Sequence, residues 1–262
     1  MRRYLNLLAI QAKAAALLSL QYRVDFFVQV AMALFWTSTA LVPLWVLFSM
    51  RSGVAGWSAH EALLVAGFFV ALKGVLQGAI QPALTNVVEH IRQGTLDFLL
   101  LKPVDTQFLL STSRLDLPRV VDVVAGLGIV VWALSRGGVR PSLGAIGLAL
   151  LVLACACAIL YAIWIMVVSL AFRVVKIDNL SYLIVSTFDA ARWPSSVFRG
   201  ALAILFTFVV PLTLMTTYPA LALLGRLTLA QVATALGVAA TFLLVSRRIW
   251  LRSLRSYTGA GG

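Results

Sequence analysis

Charge is scarce in this chain, and negative charge scarcest of all. Of its 262 residues 11% are charged, and only nine are Asp or Glu. Soluble domains draw roughly a quarter of their residues from Asp, Glu, Lys and Arg, so no aqueous domain of useful size can be built here. Cysteine is nearly absent. Cys155 and Cys157 lie two apart and point to different sides of a helix, which excludes a disulfide framework and leaves them as small apolar packing residues. His60 and His90 lack the i, i+4 partner of a zinc-binding helix, and Glu89-His90 alone makes no metal site. A period-two alternation of apolar and polar residues over about ten positions is also missing, which argues against a membrane β-barrel.

What is present is apolar residue in long continuous runs. The chain is 61% hydrophobic, with a mean hydropathy of +0.99. The clearest runs are Phe26 to Ser49, Ala62 to Gln81, Leu117 to Ser135, Leu143 to Phe172 and Ala230 to Ser246. Each is long enough to cross a hydrocarbon core of about 30 Å as a helix. The expected fold is all-α: a single polytopic membrane domain over residues 1–262, with six transmembrane helices. The remaining crossing, the fifth in chain order, comes from Ile177 to Tyr218, where Leu180 to Phe188 and Ala201 to Thr217 compete and Pro194 and Pro211 interrupt. Hydrophobicity alone prefers Ala201 to Thr217.

The formal charge of +12 is explained by topology. With six crossings, Arg2, Arg3, Lys13 and Arg23 share one side with Arg92, Lys102, Arg114 and Arg119, with Arg173 and Lys176, and with Arg247, Arg248, Arg252 and Arg255. Cations concentrate on the cytoplasmic side, which places both termini there. Basic residues that flank apolar spans match anionic lipid head groups, so no nucleic-acid partner is expected. Residues 1–23 are not a secretory signal, because Asn6, Gln11, Lys13 and Gln21 interrupt the apolar stretch. Arg2, Asn6 and Lys13 share one helical face and Leu5, Leu8 and Ala12 the other, as in a helix lying at the interface.

One span carries polar residues at depth. Lys73, Gln77 and Gln81 recur at i, i+4, i+8, with Gly74 and Gly78 beside them. A lysine near the bilayer centre costs about 2.5–3.5 kcal/mol on insertion scales, so this stripe faces protein or a hydrated path. It reads either as the wall of a translocation path or subunit seam, or as a packing face where glycines let helices approach. Asp122 with Arg119, and Asp189 with Arg192, read as local ion pairs at span ends.

No phosphate-binding loop of the Gly-x-x-x-x-Gly-Lys-[Ser/Thr] type occurs. Nearly all the acids lie at span ends or in the polar segment of residues 83–116, away from the midplane where an ion-coupled carrier holds its ligands. No Ser/His pair or cluster of catalytic carboxylates lies at depth, so the chain is not expected to be an enzyme. The expected function is transport driven by a partner. An ion-coupled carrier is the alternative, and an intramembrane lipid-modifying enzyme a weaker one.

The segment that invites such a partner is Ile91 to Asp105, Ile-Arg-Gln-Gly-Thr-Leu-Asp-Phe-Leu-Leu-Leu-Lys-Pro-Val-Asp. It mixes Arg92, Asp97, Lys102 and Asp105 with leucines and is broken by Gly94 and Pro103. It resembles the cytoplasmic loop of ABC-2 (ATP-binding cassette type-2) permeases of the small six-helix branch, which runs Ile-Arg-x-Gly-x-Leu-Asp-x-x-Leu-Leu-Lys-Pro. Ile91, Arg92, Gly94, Leu96, Asp97, Leu100, Lys102 and Pro103 fit that pattern with one extra leucine. Trp193-Pro194, Val210-Pro211, Tyr218-Pro219-Ala220 and the tail Trp250, Arg252, Arg255, Tyr257 and Gly259 resemble the branch too.

The resemblance implies an interfacial N-terminal helix and a cytoplasmic coupling helix between spans two and three. It also implies a re-entrant outer hairpin over residues 193–228, carrying Pro194, Pro211 and Pro219, and a basic cytoplasmic tail over 247–262. On this basis Ile177 to Arg192 crosses, and Val197 to Tyr218 dips in and returns. The implied partners are two ATPase subunits, which bind ATP and Mg, a second permease chain, and the bilayer of a bacterial cytoplasmic membrane. No cofactor or metal is implied for this chain. Leu96, Leu99 and Leu100 are expected to fill a groove on the ATPase, with Arg92 and Asp97 setting the register.

Overall fold

In a computed structural model the described residues are 2–51, 53–172, 185–198, 200, 206 and 211–257. Among them the structure is all-helical. In chain order the helices are α1 (Arg2–Gln21), α2 (Arg23–Met50), α3 (Ala59–Val75), α4 (Gln81–Arg92), α5 (Leu96–Leu100), α6 (Thr106–Ser111), α7 (Val120–Arg136), α8 (Leu143–Leu170), α9 (Tyr218–Leu223) and α10 (Leu229–Arg255). Among the described residues, five stretches are long and apolar enough to cross a membrane: Arg23–Met50, Ala59–Arg92, Leu117–Arg136, Leu143–Leu170 and Leu229–Arg255. About half of the expected crossing at Ile177 to Arg192 and about half of the competing run Ala201 to Thr217 lie outside the described residues, as do Arg173, Lys176 and Gly259.

The second span differs from its expected extent. The apolar run Ala62 to Gln81 predicts a helix of ordinary length, with the polar region starting at residue 83. Instead α3 and α4 join through a wide π-type turn, Leu76–Ile80, into one 34-residue helix. Pro82 supplies the physical reason. It has no N–H to give to the Gly78 carbonyl four residues back, the Gln81 N–H reaches the Leu76 carbonyl instead, and the Gly78 carbonyl accepts from the Asp116 N–H at 2.8 Å. The same arrangement recurs at Thr213–Thr217, two residues before Pro219, where the Tyr218 N–H reaches the Thr213 carbonyl.

Helix ends follow local chemistry. Glu61 accepts from the Ser58 N–H at 3.0 Å at the start of α3, Ser142 accepts from the Ala145 N–H at 3.2 Å at the start of α8, and Thr228 accepts from the Gln231 N–H at 3.3 Å before α10. Each satisfies a backbone donor that the helix itself cannot.

α3 and α7 run antiparallel at very short range, with one face of α7 (Asp122, Gly126, Val130 and Ala133) buried in the contact. A Cβ on Gly126 would lie 2.4 Å from the Ala71 nitrogen, and one on Gly74 would lie 2.7 Å from the Val123 nitrogen. Only glycine permits this approach. α8 packs beside α10 and α9, and its Trp164, with Trp250, Phe69 and Phe188, supplies the bulkiest fully buried side chains of the core.

Candidate functional site

The segment expected to meet a partner is set in place by the end of α4. Gly94 adopts φ +66°, in the left-handed region that glycine occupies without strain. Its N–H reaches the Ile91 carbonyl at 3.3 Å and the Thr95 N–H reaches the His90 carbonyl at 3.0 Å, the paired closure that ends many helices. His90 holds Thr95 across the turn through Nδ1 at 2.7 Å. The chain leaves a rigid span in one fixed direction, straight into α5.

The phase of α5 decides which of its side chains face outward. Leu96 is fully buried in the chain's own core, and Leu99 and Leu100 pack partly buried against it. The apolar side chains that face outward are Phe98, 72% exposed, and Leu101, 81% exposed. These two were not singled out in the sequence, where five hydrophobic residues, Leu96 and Phe98 to Leu101, run almost together and only the helix phase separates inside from outside. Asp97, Lys102 and Pro103 flank them.

α6 ties this segment to the rest of the bundle. Asp105 caps α6 by accepting from the Phe108 N–H at 3.0 Å. Arg247 of α10 donates to Asp105 at 2.5 and 3.3 Å and to Gln107 Oε1 at 2.7 Å. Gln107 in turn donates to the Tyr161 hydroxyl of α8 at 3.0 Å, which also meets Ser111 at 2.8 Å. Phe108 packs edge-on against Tyr4 of α1, with ring centroids 4.8 Å apart. Burial pushes the Asp105 carboxyl up, but the hydrogen bonds from Arg247 and the backbone N–H groups outweigh it and hold the carboxyl below its ordinary value of 3.8. Nothing in the local sequence marks Arg247 as the partner of a residue 142 positions earlier.

The polar stripe of the second span divides. Gly74 and Gly78 face α7 and the segment before it, where a Cβ on Gly78 would meet Arg119 at 3.1 Å and the Asp116 carbonyl at 3.3 Å. Lys73, Gln77 and Gln81 face cavities. Lys73 lies near the middle of the span and pairs with Asp189 at 3.4 Å. Asp189 also pairs with Arg192 at 3.8 Å, and both cations stand over the Phe69 ring at 5.8 and 5.7 Å. The sequence reading paired Asp189 with Arg192 alone; the structure brings in Lys73 from 116 residues away. Arg119 pairs with Asp122 at 3.5 Å, as their spacing implies, and Thr37 of α2 donates to the same carboxylate at 3.3 Å.

The proline-bearing region lies beside the first half of α3. Ser196, two residues after Pro194, accepts from the Trp57 indole at 3.1 Å, and Thr216 donates to the Ala191 carbonyl at 2.9 Å. Pro211 precedes the second π-type turn and Pro219 opens α9. Arg226, between α9 and α10, meets Glu61 at 2.7 Å.

No curated protein and no solved structure matches the chain. Its sequence matches the family described as ABC-2 family transporter protein over residues 34–261. That match takes in all five apolar spans but the start of the first, along with α5, α6 and the proline-bearing region. A bundle of membrane-length helices fits a transporter membrane component, and the chain belongs to the ABC-2 transporter family, as a multi-pass permease of ABC-type transport that works with an ATP-binding cassette component.

Proposed function

We propose that this chain is the membrane-spanning subunit of an ATP-driven exporter that moves an apolar or amphipathic substrate across a bacterial cytoplasmic membrane. A separate pair of ATPase subunits hydrolyses ATP with Mg, and a second permease chain completes the path. The observation that carries the coupling part of this reading is the outward pair of Phe98 on α5 and Leu101 immediately after it. Two large apolar side chains exposed beside Asp97 and Lys102 form an apolar anchor with a charged rim, a common interface pattern. The anchor thereby moves from Leu96, Leu99 and Leu100 to Phe98 and Leu101.

The mechanics follow from rigidity. A displacement of α5 passes through the closed Gly94 turn into a helix that runs unbroken to Ala59. It passes in parallel through Asp105 and Gln107 into α10 and α8. Three spans therefore feel one push. Lys73, Gln77 and Gln81 line the cavities that such a motion reshapes, and the basic ends of α4 and α10 lie on the cytoplasmic side.

The test is co-purification with the ATPase and substrate-stimulated ATP hydrolysis in liposomes. Truncating an interface anchor costs about 2 kcal/mol, roughly a 30-fold loss of docking affinity. Phe98→Ala and Leu101→Ala are expected to lose the ATPase while the permease still inserts and stays monodisperse. Retained coupling in the double variant removes the docking role, and transport by the chain alone along a proton or sodium gradient replaces the reading with the ion-coupled one.

A further inference from the structure

Asp189 serves two cations at once. Lys73 Nζ lies 3.4 Å and the Arg192 guanidinium 3.8 Å from the same carboxylate oxygen, Oδ1. Tight charge-assisted hydrogen bonds of this kind close to about 2.7–2.9 Å, so neither cation is gripped closely. Two positive charges against one negative leave an excess of one, and among the described residues no second carboxylate pairs with either cation. Arg192 is turned back on its own segment, where its Nε also donates to the Asp189 carbonyl at 2.8 Å. Lys73 is the cation that opens outward. It keeps 32% of its side chain exposed and lines a cavity of about 150 Å³ between α2 and α3.

At 1.5 Å per residue Lys73 lies about 20 Å along its helix from Ala59 and about 30 Å from Arg92. A surplus charge so far from both ends is costly, and an anion in the cavity removes that cost. The other charges on the cavity wall do not compete for it. Arg119 is held between Asp122, at 3.5 Å, and Asp116, at 3.9 Å, and the second oxygen of Asp122 accepts from Thr37 at 3.3 Å. Asp116, the surplus carboxylate of that group, faces the larger cavity beside α1 and not this one. Gln77 adds an amide that makes no hydrogen bond to another described residue.

Size and lining limit the rest of the ligand. A water molecule takes about 30 Å³ of the liquid, so the space holds a carboxylate and the first few carbons behind it, and excludes a phospholipid head. Apart from the polar corner the walls are Ala33, Trp36 and Ala40 of α2 with Phe69 and Val70 of α3. α2 is loosely packed: its buried residues are Ala33 and Leu44, and Trp36 is 58% exposed. An apolar tail therefore has a way out past Trp36, along α2.

We propose that this cavity binds the carboxylate of one amphipathic acid, with Lys73 as its counter-ion and Gln77 as a hydrogen-bond donor. A neutral head leaves the surplus charge in place, and a cationic head adds to it. The inference rests on the transport reading only in making that acid the cargo; binding itself needs no ATPase.

The experiment uses the full chain, immobilised in a non-ionic detergent in alkaline buffer, with tritiated dodecanoate read by scintillation proximity. Saturable binding of one dodecanoate per chain is expected, displaced by unlabelled dodecanoate at concentrations at least ten-fold lower than by dodecanol, dodecylammonium or phosphatidylglycerol. Lys73→Met leaves Asp189 and Arg192 as a one-to-one pair, and Arg192→Gln leaves Lys73 and Asp189 as another. Each removes the surplus charge without stranding a carboxylate, and each is expected to weaken dodecanoate binding ten-fold or more, whereas Lys73→Arg keeps it within about three-fold. Wild-type binding by a monodisperse Lys73→Met or Arg192→Gln chain overturns the proposal, as does equal displacement by the alcohol, the amine or the phospholipid. ATPase association enters none of these measurements, so a failed docking test removes the cargo role and not the site.

Discussion

Replacing Gly126 by Ala gives the sharpest test of the bundle's architecture. Its added Cβ would lie 2.4 Å from the Ala71 nitrogen, 2.6 Å from the Gly67 carbonyl oxygen and 2.8 Å from the Ala71 Cα. All three are backbone atoms of α3 and cannot rotate away. Ordinary contact begins at 3.4 Å, so the α3–α7 crossing must open by about 1 Å. Overpacking of this kind costs about 1–3 kcal/mol, and Ala recovers up to about 1 kcal/mol of helix propensity over Gly.

A net loss of about 1–2 kcal/mol is expected, which lowers Tm by about 2–8 °C at this chain length. Gly128, two residues further along α7, has nothing within 4 Å of its own Cβ position. There the same substitution keeps only the propensity gain of about 0.5–1 kcal/mol and should raise Tm. Thermal unfolding of both variants in one detergent, at one scan rate, separates the cases. If Gly126→Ala is as stable as Gly128→Ala, the close antiparallel crossing is wrong.

The clasp between α6 and α10 gives a second expectation. Arg247→Gln and Asp105→Asn should each loosen α6, read as faster amide exchange over Thr106–Ser111, and the charge swap Asp105→Arg with Arg247→Asp should restore protection; no restoration would show that the pair does not hold α6. The Asp105 carboxyl is held below its ordinary value, so its contribution is complete above about pH 4 and is lost as the pH falls through the lowered value. The stability difference between wild type and Asp105→Asn should stay constant from pH 7 to pH 5 and shrink in stronger acid; a difference that shrinks toward alkaline pH instead would contradict the assignment. Beside the centre of the second span, Asp189→Asn leaves both Lys73 and Arg192 without their shared carboxylate and should destabilise the chain, whereas adding Lys73→Met, which removes one of the two stranded cations, should recover part of the loss, since removing both partners of an ion pair is milder than breaking it. A double variant less stable than Asp189→Asn would argue against a direct pair.

Much of this protein is legible one residue at a time. Run length and composition establish a helical membrane protein, because the cost of burying backbone in lipid leaves few alternatives to helices of about 20 residues. The stop at Gly94 and the caps at Ser142 and Thr228 are local events, set by residues within a few positions of one another. The spacing of Lys73, Gln77 and Gln81 already showed that one face of the second span is polar.

The partners of that face, and of the elbow, were settled only by tertiary packing. Lys73 meets Asp189, and Arg247 meets Asp105, across separations for which no periodicity in the sequence carries information. Leu96 turns inward while Phe98 and Leu101 turn outward because the Gly94 closure fixes the phase of a helix only five residues long. The second span outran its apolar stretch because Pro82 leaves a carbonyl that a distant N–H, that of Asp116, can take. Sequence determined what kind of molecule this is and several of its helix ends; the fold decided how far the second span runs and which polar groups find each other, since in a membrane each must find some partner and only proximity in space selects which.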